Sequence, residues 1–144
     1  MTDWDAAAFE EGLIADMRAN GGAVTTGPLA GRPVLIMMST GAKTGESRRA
    51  LLNFTRDMGD YVVAGTKNGD PNDPSWLHNL RANPDVAVEA EGRTFRARAS
   101  VADVADHDRL WDQHVAALPS LADYPEKAGR IIPMVRLTPV DEPA

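Results

Sequence analysis

The sequence predicts a mainly β fold, a small antiparallel barrel of six strands with helices at its periphery. Three observations lead there. Short apolar or alternating segments recur between residues 33 and 137, most of them too short for an ordinary helix. Neighbouring segments are mostly joined by hairpin-type turns, such as Asp57-Met58-Gly59-Asp60 and Glu91-Gly92. Stretches with helical period are few and do not alternate strand by strand, which argues against a parallel βαβ sheet. At 144 residues the chain makes one domain, 1–144. A chain of this size buries about 68–70% of its unfolded surface, enough for one core.

The elements follow in order. Residues 4–19 read as an amphipathic helix with Phe9, Leu13, Ile14 and Met17 near one face and Glu10, Glu11, Asp16 and Arg18 largely on the other. Thr2 or Asp5 caps its start and Asn20-Gly21-Gly22 stops it, so residues 1–22 form an N-terminal helical segment. Pro33-Val34-Leu35-Ile36-Met37-Met38 suits a strand buried on both faces. The turn Thr40-Gly41-Ala42-Lys43-Thr44-Gly45 leads to a second strand near 48–56, paired as a hairpin with 61–65. Asp73 as N-cap and Pro74 at the first position start a helix over 74–82, and Asn83-Pro84 ends it. Residues 85–89 and 94–101 make the next hairpin, with Phe95, Ala97, Ala99 and Val101 on one face. A helix over 104–118, a stretch broken by Pro119 and Pro125, and a last strand over 131–137 complete the chain.

Composition excludes several function classes. Formal charge is −6, which disfavours nucleic acid or an anionic membrane as the main partner. The chain has no cysteine, so disulfides, thiolate metal sites and cysteine nucleophiles are out. Neither a signal peptide nor a transmembrane span is read from the sequence, and a cytoplasmic location is expected. None of His78, His107 and His114 belongs to a ligand set, so no metal is expected. The last two, seven apart on one helix, read as solvated or core-edge residues.

Two clusters carry the chemistry. Lys43-Thr44 lacks the glycines of a nucleotide-binding P-loop, having Ala42 and Met37 where these would stand. The turn nevertheless suits an anion: two glycines free backbone N–H groups, and Lys43, Arg48 and Arg49 stand against Glu46 alone. It also fits a solvated hairpin turn. In the second cluster, Lys67 ends a strand and Pro74-Ser75-Trp76-Leu77-His78-Asn79-Leu80 opens a helix, whose N–H groups attract phosphate while Trp76 covers a flat ring. Trp76 and Leu80 equally fit an ordinary core pair.

Taken together, Thr40-Gly41-Ala42-Lys43-Thr44-Gly45-Glu46-Ser47-Arg48, Val62-Val63-Ala64-Gly65-Thr66-Lys67 and Pro74-Ser75-Trp76-Leu77-His78-Asn79-Leu80-Arg81-Ala82-Asn83-Pro84 resemble the deazaflavin-dependent nitroreductase family. These are actinobacterial flavin/deazaflavin oxidoreductases that use coenzyme F420. The resemblance covers about residues 30–138 and implies a split β-barrel of the FMN-binding type over that span. It implies that Lys43, Thr44, Gly45, Ser47 and Arg48 hold the cofactor's phosphate and acidic tail, joined by Lys67. The backbone near Thr66 would approach the deazaflavin, and Ser75, Trp76, His78 and Asn79 would complete the pocket. Related nitroreductases carry arginine where this chain has Ala42, and the member that activates nitroimidazoles has three tyrosines where this chain has Leu118, Leu121 and Tyr124. This more apolar acceptor pocket points away from nitroimidazoles and toward quinones, coumarins or other enones. Hydride would pass from the reduced deazaflavin, with a proton from Tyr124, Thr66 or water. An FMN-dependent oxidase on the same barrel and a non-catalytic module for F420 or a hydrophobic ligand remain as alternatives, and the oligomeric state stays open.

Overall fold

A computed structural model describes residues 6–27, 30–66 and 72–140. Its elements are α1 (Ala6–Ala19), β1 (Val34–Thr40), β2 (Ser47–Asn53), β3 (Thr55–Asp57), β4 (Asp60–Ala64), α2 (Ser75–Ala82), β5 (Asp85–Ala90), β6 (Arg93–Val101), α3 (Val104–Ala117), α4 (Tyr124–Ala128) and β7 (Met134–Pro139). A 3-10 turn, Pro119–Leu121, joins α3 to α4. The strands form one antiparallel sheet in the order β2-β1-β5-β6-β7-β4-β3. It has seven strands rather than the six expected.

The extra strand comes from the segment expected as one strand over 48–56. Its first part pairs with β1, Ser47 opposite Thr40 through Asn53 opposite Val34. Its last part pairs with β4, Thr55 opposite Val62. Between them Phe54 is buried, and its N–H donates to the Pro33 carbonyl at 3.2 Å. Both edges of the sheet are therefore one continuous stretch of chain, which curls the sheet until β2 and β4 touch.

Leu35 and Met37 of β1 point into the barrel with Phe54, Tyr61, Val63, Val88, Val135 and Leu137. Val34 and Ile36 point the other way, under Leu13, Ile14 and Met17 of α1. β1 is thus covered on both faces, as its unbroken apolar run predicts. A third cluster, Val62, Ala64, Leu110, Ala128, Ile132 and Met134, seats α3 and α4 on the outer face of β4 and β7.

Local chemistry explains most boundaries. α1 ends where the Gly22 N–H donates to the Met17 carbonyl at 2.7 Å, and a Cβ on Gly22 would lie 2.6 Å from the Gly92 nitrogen. No side chain fits between α1 and the β5–β6 turn. The turn itself places Glu91 and Gly92 at φ 53° and 78°, the conformation of a two-residue hairpin. Three expectations need correction. Pro74, not Asp73, is the residue preceding the first turn of α2, because Asp73 is taken by Arg130 at 3.0 Å and Arg81 at 3.8 Å. The last strand begins at Met134 rather than 131, Ile131 being exposed, since Ile132 packs under α3 before the pairing starts. Val101 ends β6 exposed instead of continuing the buried face of Ala97 and Ala99. The caps expected at Thr2 or Asp5 lie outside the described residues.

Candidate functional site

The turn after β1 is tightly tied. The Gly41 N–H donates to the Glu46 carbonyl at 2.7 Å, the Gly45 N–H to the Gly41 carbonyl at 2.9 Å, and the Glu46 N–H to Thr44 Oγ1 at 3.2 Å. A Cβ on Gly41 would meet Thr44 Oγ1 at 2.9 Å, so a larger residue there would displace the hydroxyl that ties the turn. Asn79 of α2 holds it from the other side, its Oδ1 accepting from the Ala42 N–H at 3.0 Å. The two sequence clusters are thereby joined by one side-chain bond.

They enclose a cleft of about 740 Å³ lined by Lys43, Thr44, Arg48, Ser75, Trp76, His78 and Asn79 together with Ser39. Arg48 is exposed and bridges to Glu46 at 3.2 Å. Ser39 is 3% exposed, and its Oγ has no hydrogen-bond partner. Gly45 and Ser47 do not line the cleft: Gly45 supplies a positive φ to the turn, and Ser47 starts β2 opposite Thr40. Arg49, counted with the basic residues of the turn, is drawn to α1 by Glu11 at 2.9 Å and Glu10 at 3.2 Å.

A second cleft, of about 490 Å³, continues from the first, the two sharing Arg49, Ala50, Ser75 and Trp76. Leu51, Leu52, Ala64, Pro74, Trp76 and Leu121 make its apolar wall, and Glu10, Arg49, Asn53, Thr66, Ser75 and His114 are its polar positions. Leu121 reaches it because the 3-10 turn swings the chain back after α3. Leu118 does not: it is buried at the end of α3, its N–H donating to the His114 carbonyl at 2.8 Å. Tyr124, first residue of α4, is half-buried with Lys127 Nζ 5.9 Å from its ring and lines neither cleft. Lys67 lies outside the described residues.

Two residues of this region escaped the sequence reading. His114 is 1% exposed rather than solvated or at the core edge, with Nδ1 2.8 Å from Thr55 Oγ1. Burial pushes its pKa down to about 4, so it is neutral at pH 7. The signal was present: Leu110 and His114 are four residues apart and share the buried face of α3, with buried Leu118 just past its end. Arg130 braces the chain after β4. It donates to the carbonyls of Gly65 and Asn72 at 3.0 Å and of Thr66 at 3.3 Å, and pairs with Asp73 at 3.0 Å. No local pattern marks that role, since its partners lie 57 to 65 residues away.

A family model of F420H(2)-dependent quinone reductases matches residues 13–139. The chain belongs to the F420H(2)-dependent quinone reductase family. An F420H(2)-dependent quinone reductase of Mycobacterium tuberculosis is 37% identical over 109 residues, 74% of this chain and 73% of that one. A solved F420-H2 dependent reductase superposes with a TM-score of 0.67 at 33% identity, covering 74% of this chain and 94% of that chain. A second solved structure, described as a domain-swapped dimer, gives 0.69 at 27% identity over 92% of this chain and 99% of that one. The nitroreductase-like resemblance thus resolves to the quinone reductase branch of F420-dependent enzymes.

The residues present fit a quinone reductase's cofactor. F420 joins a flat ring system to a phosphate and an acidic tail, and the first cleft offers Lys43, Arg48 and the unpartnered hydroxyl of Ser39 beside an indole face. Among the described residues no group of acids and histidines suits a metal ion, and no helix is long and apolar enough to cross a membrane.

Proposed function

We infer that the chain is an F420H2-dependent reductase that delivers hydride to a quinone-type acceptor. The observation that carries this is the continuity, across Trp76, of a cationic cleft with a second one walled in part by Leu51, Leu52, Ala64 and Leu121. When bound, F420H2 supplies a two-electron hydride donor. The protein's own part is binding, orientation and exclusion of water. Lys43, Arg48 and Lys67 are the cations for the tail, with Thr44, Gly45 and Ser47 shaping the turn that presents them. Ser75 offers a hydroxyl to the cofactor, His78 and Asn79 close the helix side, and Trp76 bounds the ring.

The acceptor occupies the second cleft, where Leu51, Leu52, Ala64 and Leu121 keep water from a flat apolar ring. Thr66, on its wall, is better placed to hold a proton for the acceptor than Tyr124, which lines neither cleft. Quinones, coumarins and other enones suit this wall better than a nitroimidazole, whose polar group would lose hydration there without a matching return.

Fluorescence titration with F420 and FMN, followed by F420H2 oxidation with menadione, a coumarin and a bicyclic nitroimidazole, tests the reading. Tighter F420 than FMN binding and fastest turnover of menadione are expected. Equal or stronger FMN binding, or F420 binding without oxidation of F420H2 by any acceptor, rejects it.

A further inference from the structure

Among the groups that line the second cleft is a buried imidazole, which quinone binding by shape alone does not require. Leu110 and His114, four apart in α3, share its buried face, so the helix carries an imidazole into its buried stripe. Nδ1 of that imidazole is engaged by Thr55 Oγ1 at 2.8 Å. Among the described residues Nε2 has no hydrogen-bond partner. Among the described residues the fully enclosed side-chain polar atom without a partner is Ser39 Oγ, so Nε2 is not enclosed. The cleft that His114 lines with Thr66, Trp76 and Leu121 is the open space beside the ring.

Hydrogen-bond bookkeeping assigns the ring's proton. Thr55 is buried in β3, and its hydroxyl has the imidazole as its side-chain partner. Donating to Nδ1 uses the hydroxyl hydrogen, whereas accepting from Nδ1 would leave it buried and unused. A neutral imidazole that accepts at Nδ1 carries its proton on Nε2. Burial keeps the ring neutral, and the charged groups around it are paired with each other: Arg49 with Glu10 at the cleft, Asp57 with Arg109 where β3 meets α3.

We propose that His114, oriented by Thr55, donates a hydrogen bond from Nε2 to a carbonyl oxygen of the quinone and thereby selects carbonyl-bearing acceptors over plain aromatic ones. The proposal rests on the reductase reading above and names the group that touches the acceptor in its cleft. No bond at His114 is made or broken. Turning quinone into hydroquinone takes a hydride from F420H2 and one proton by way of Thr66 or water, balanced by the proton the cofactor sheds in ending as F420, while the imidazole keeps its own proton and stabilises the oxygen that gains charge.

The test uses the full chain labelled with ¹⁵N, with the His114 ring signals assigned through His114→Phe. At pH 7 the ring is expected as the Nε2–H tautomer. In the presence of oxidised F420, which does not reduce the acceptor, menadione should shift the Nε2 signal and 2-methylnaphthalene, of similar shape without carbonyls, should not. A proton on Nδ1, or equal responses to the two probes, overturns the proposal. In turnover, His114→Phe should lower kcat/KM for menadione about tenfold with F420 affinity unchanged, and His114→Gln, which retains a donor, should recover part of the loss. Turnover of His114→Phe within about twofold of the parent overturns it as well. Thr55→Val should spread the ring over both tautomers, and this arm stands if the phenylalanine variant fails to fold. A parent protein that does not oxidise F420H2 with menadione removes the reductase reading, while the tautomer and the probe shifts still decide the role of His114.

Discussion

At the residue scale, buried and paired ionisable groups make stability depend on pH in a stated direction. The folded pKa of His114, about 4, lies below the ordinary 6.5, so the unfolded chain binds the extra proton between these values. Its neutral burial is without penalty above pH 6.5 and costs progressively more as pH falls to 4, up to about 3 kcal/mol. Asp57 acts lower on the scale. The guanidinium groups of Arg109 and Arg136, at 2.9 and 2.7 Å, hold its pKa at about 2, so its contribution is present above 3.8 and disappears toward 2. Urea unfolding at pH 7.5, 5.5 and 4.5 should show the first loss in the parent and a flatter profile in His114→Leu. Lys43 is exposed and outside the core, so Lys43→Ala should leave the melting curve unchanged. The same change should weaken F420 binding by the value of a charge-assisted contact, roughly 1.5–3 kcal/mol. Unaltered affinity would return the turn to a solvated one.

At the scale of elements, the segment after α3 shows why a residue's role depends on which way its short helix turns. Leu118 and Leu121 are three apart, yet Leu118 seals α3 in the core and Leu121 faces the cleft. Leu118→Tyr should therefore overpack the interior and cost about 1–3 kcal/mol of stability. Leu121→Tyr should fold as the parent and move activity toward nitro acceptors, measured as the ratio of nitroimidazole to menadione rates. Equal effects of the two variants would contradict this assignment of faces. Arg130 makes a comparable case for the loop after β4. Lysine cannot span the carbonyls of Gly65, Thr66 and Asn72 and the Asp73 carboxylate at once. Arg130→Lys should accordingly speed hydrogen exchange at the end of β4 and weaken F420 binding more than it lowers Tm.

For the whole molecule, one residue joins the two edges of the sheet. Phe54 passes the chain from β2 to β3 and fills the core beside Tyr61, with ring centroids 5.2 Å apart. Phe54→Ala should cost about 3–5 kcal/mol and loosen barrel closure and clefts together. Charge is also a whole-molecule property here. A chain of net charge −6 reaches a polyanion only through local cations, so F420 affinity should fall as salt rises, exposed charges being screened over about 10 Å at 0.1 M. A salt-independent affinity would place the acidic tail elsewhere.

Much of this was legible in residue order because the physics involved is local. The apolar run of β1, the Glu91-Gly92 hairpin, the glycine stop of α1 and the alternation of β6 each depend on neighbours within a few positions. The turn at 40–45 and the start of α2 also announce their chemistry, since backbone N–H groups, lysine and tryptophan are visible where they stand in the chain. Tertiary structure alone decided what depends on distant partners. It divided 48–56 between two edges of the sheet, because a period of two does not say which strand lies alongside. It drew Arg49 away to α1, gave Asp73 to Arg130 instead of a helix cap, and turned His114 into the cleft against Thr55, 59 residues away. A side chain's type is written in the sequence; the partner that satisfies its charge or hydrogen bond is chosen by the fold, because burying it unpaired would cost more than the contact returns.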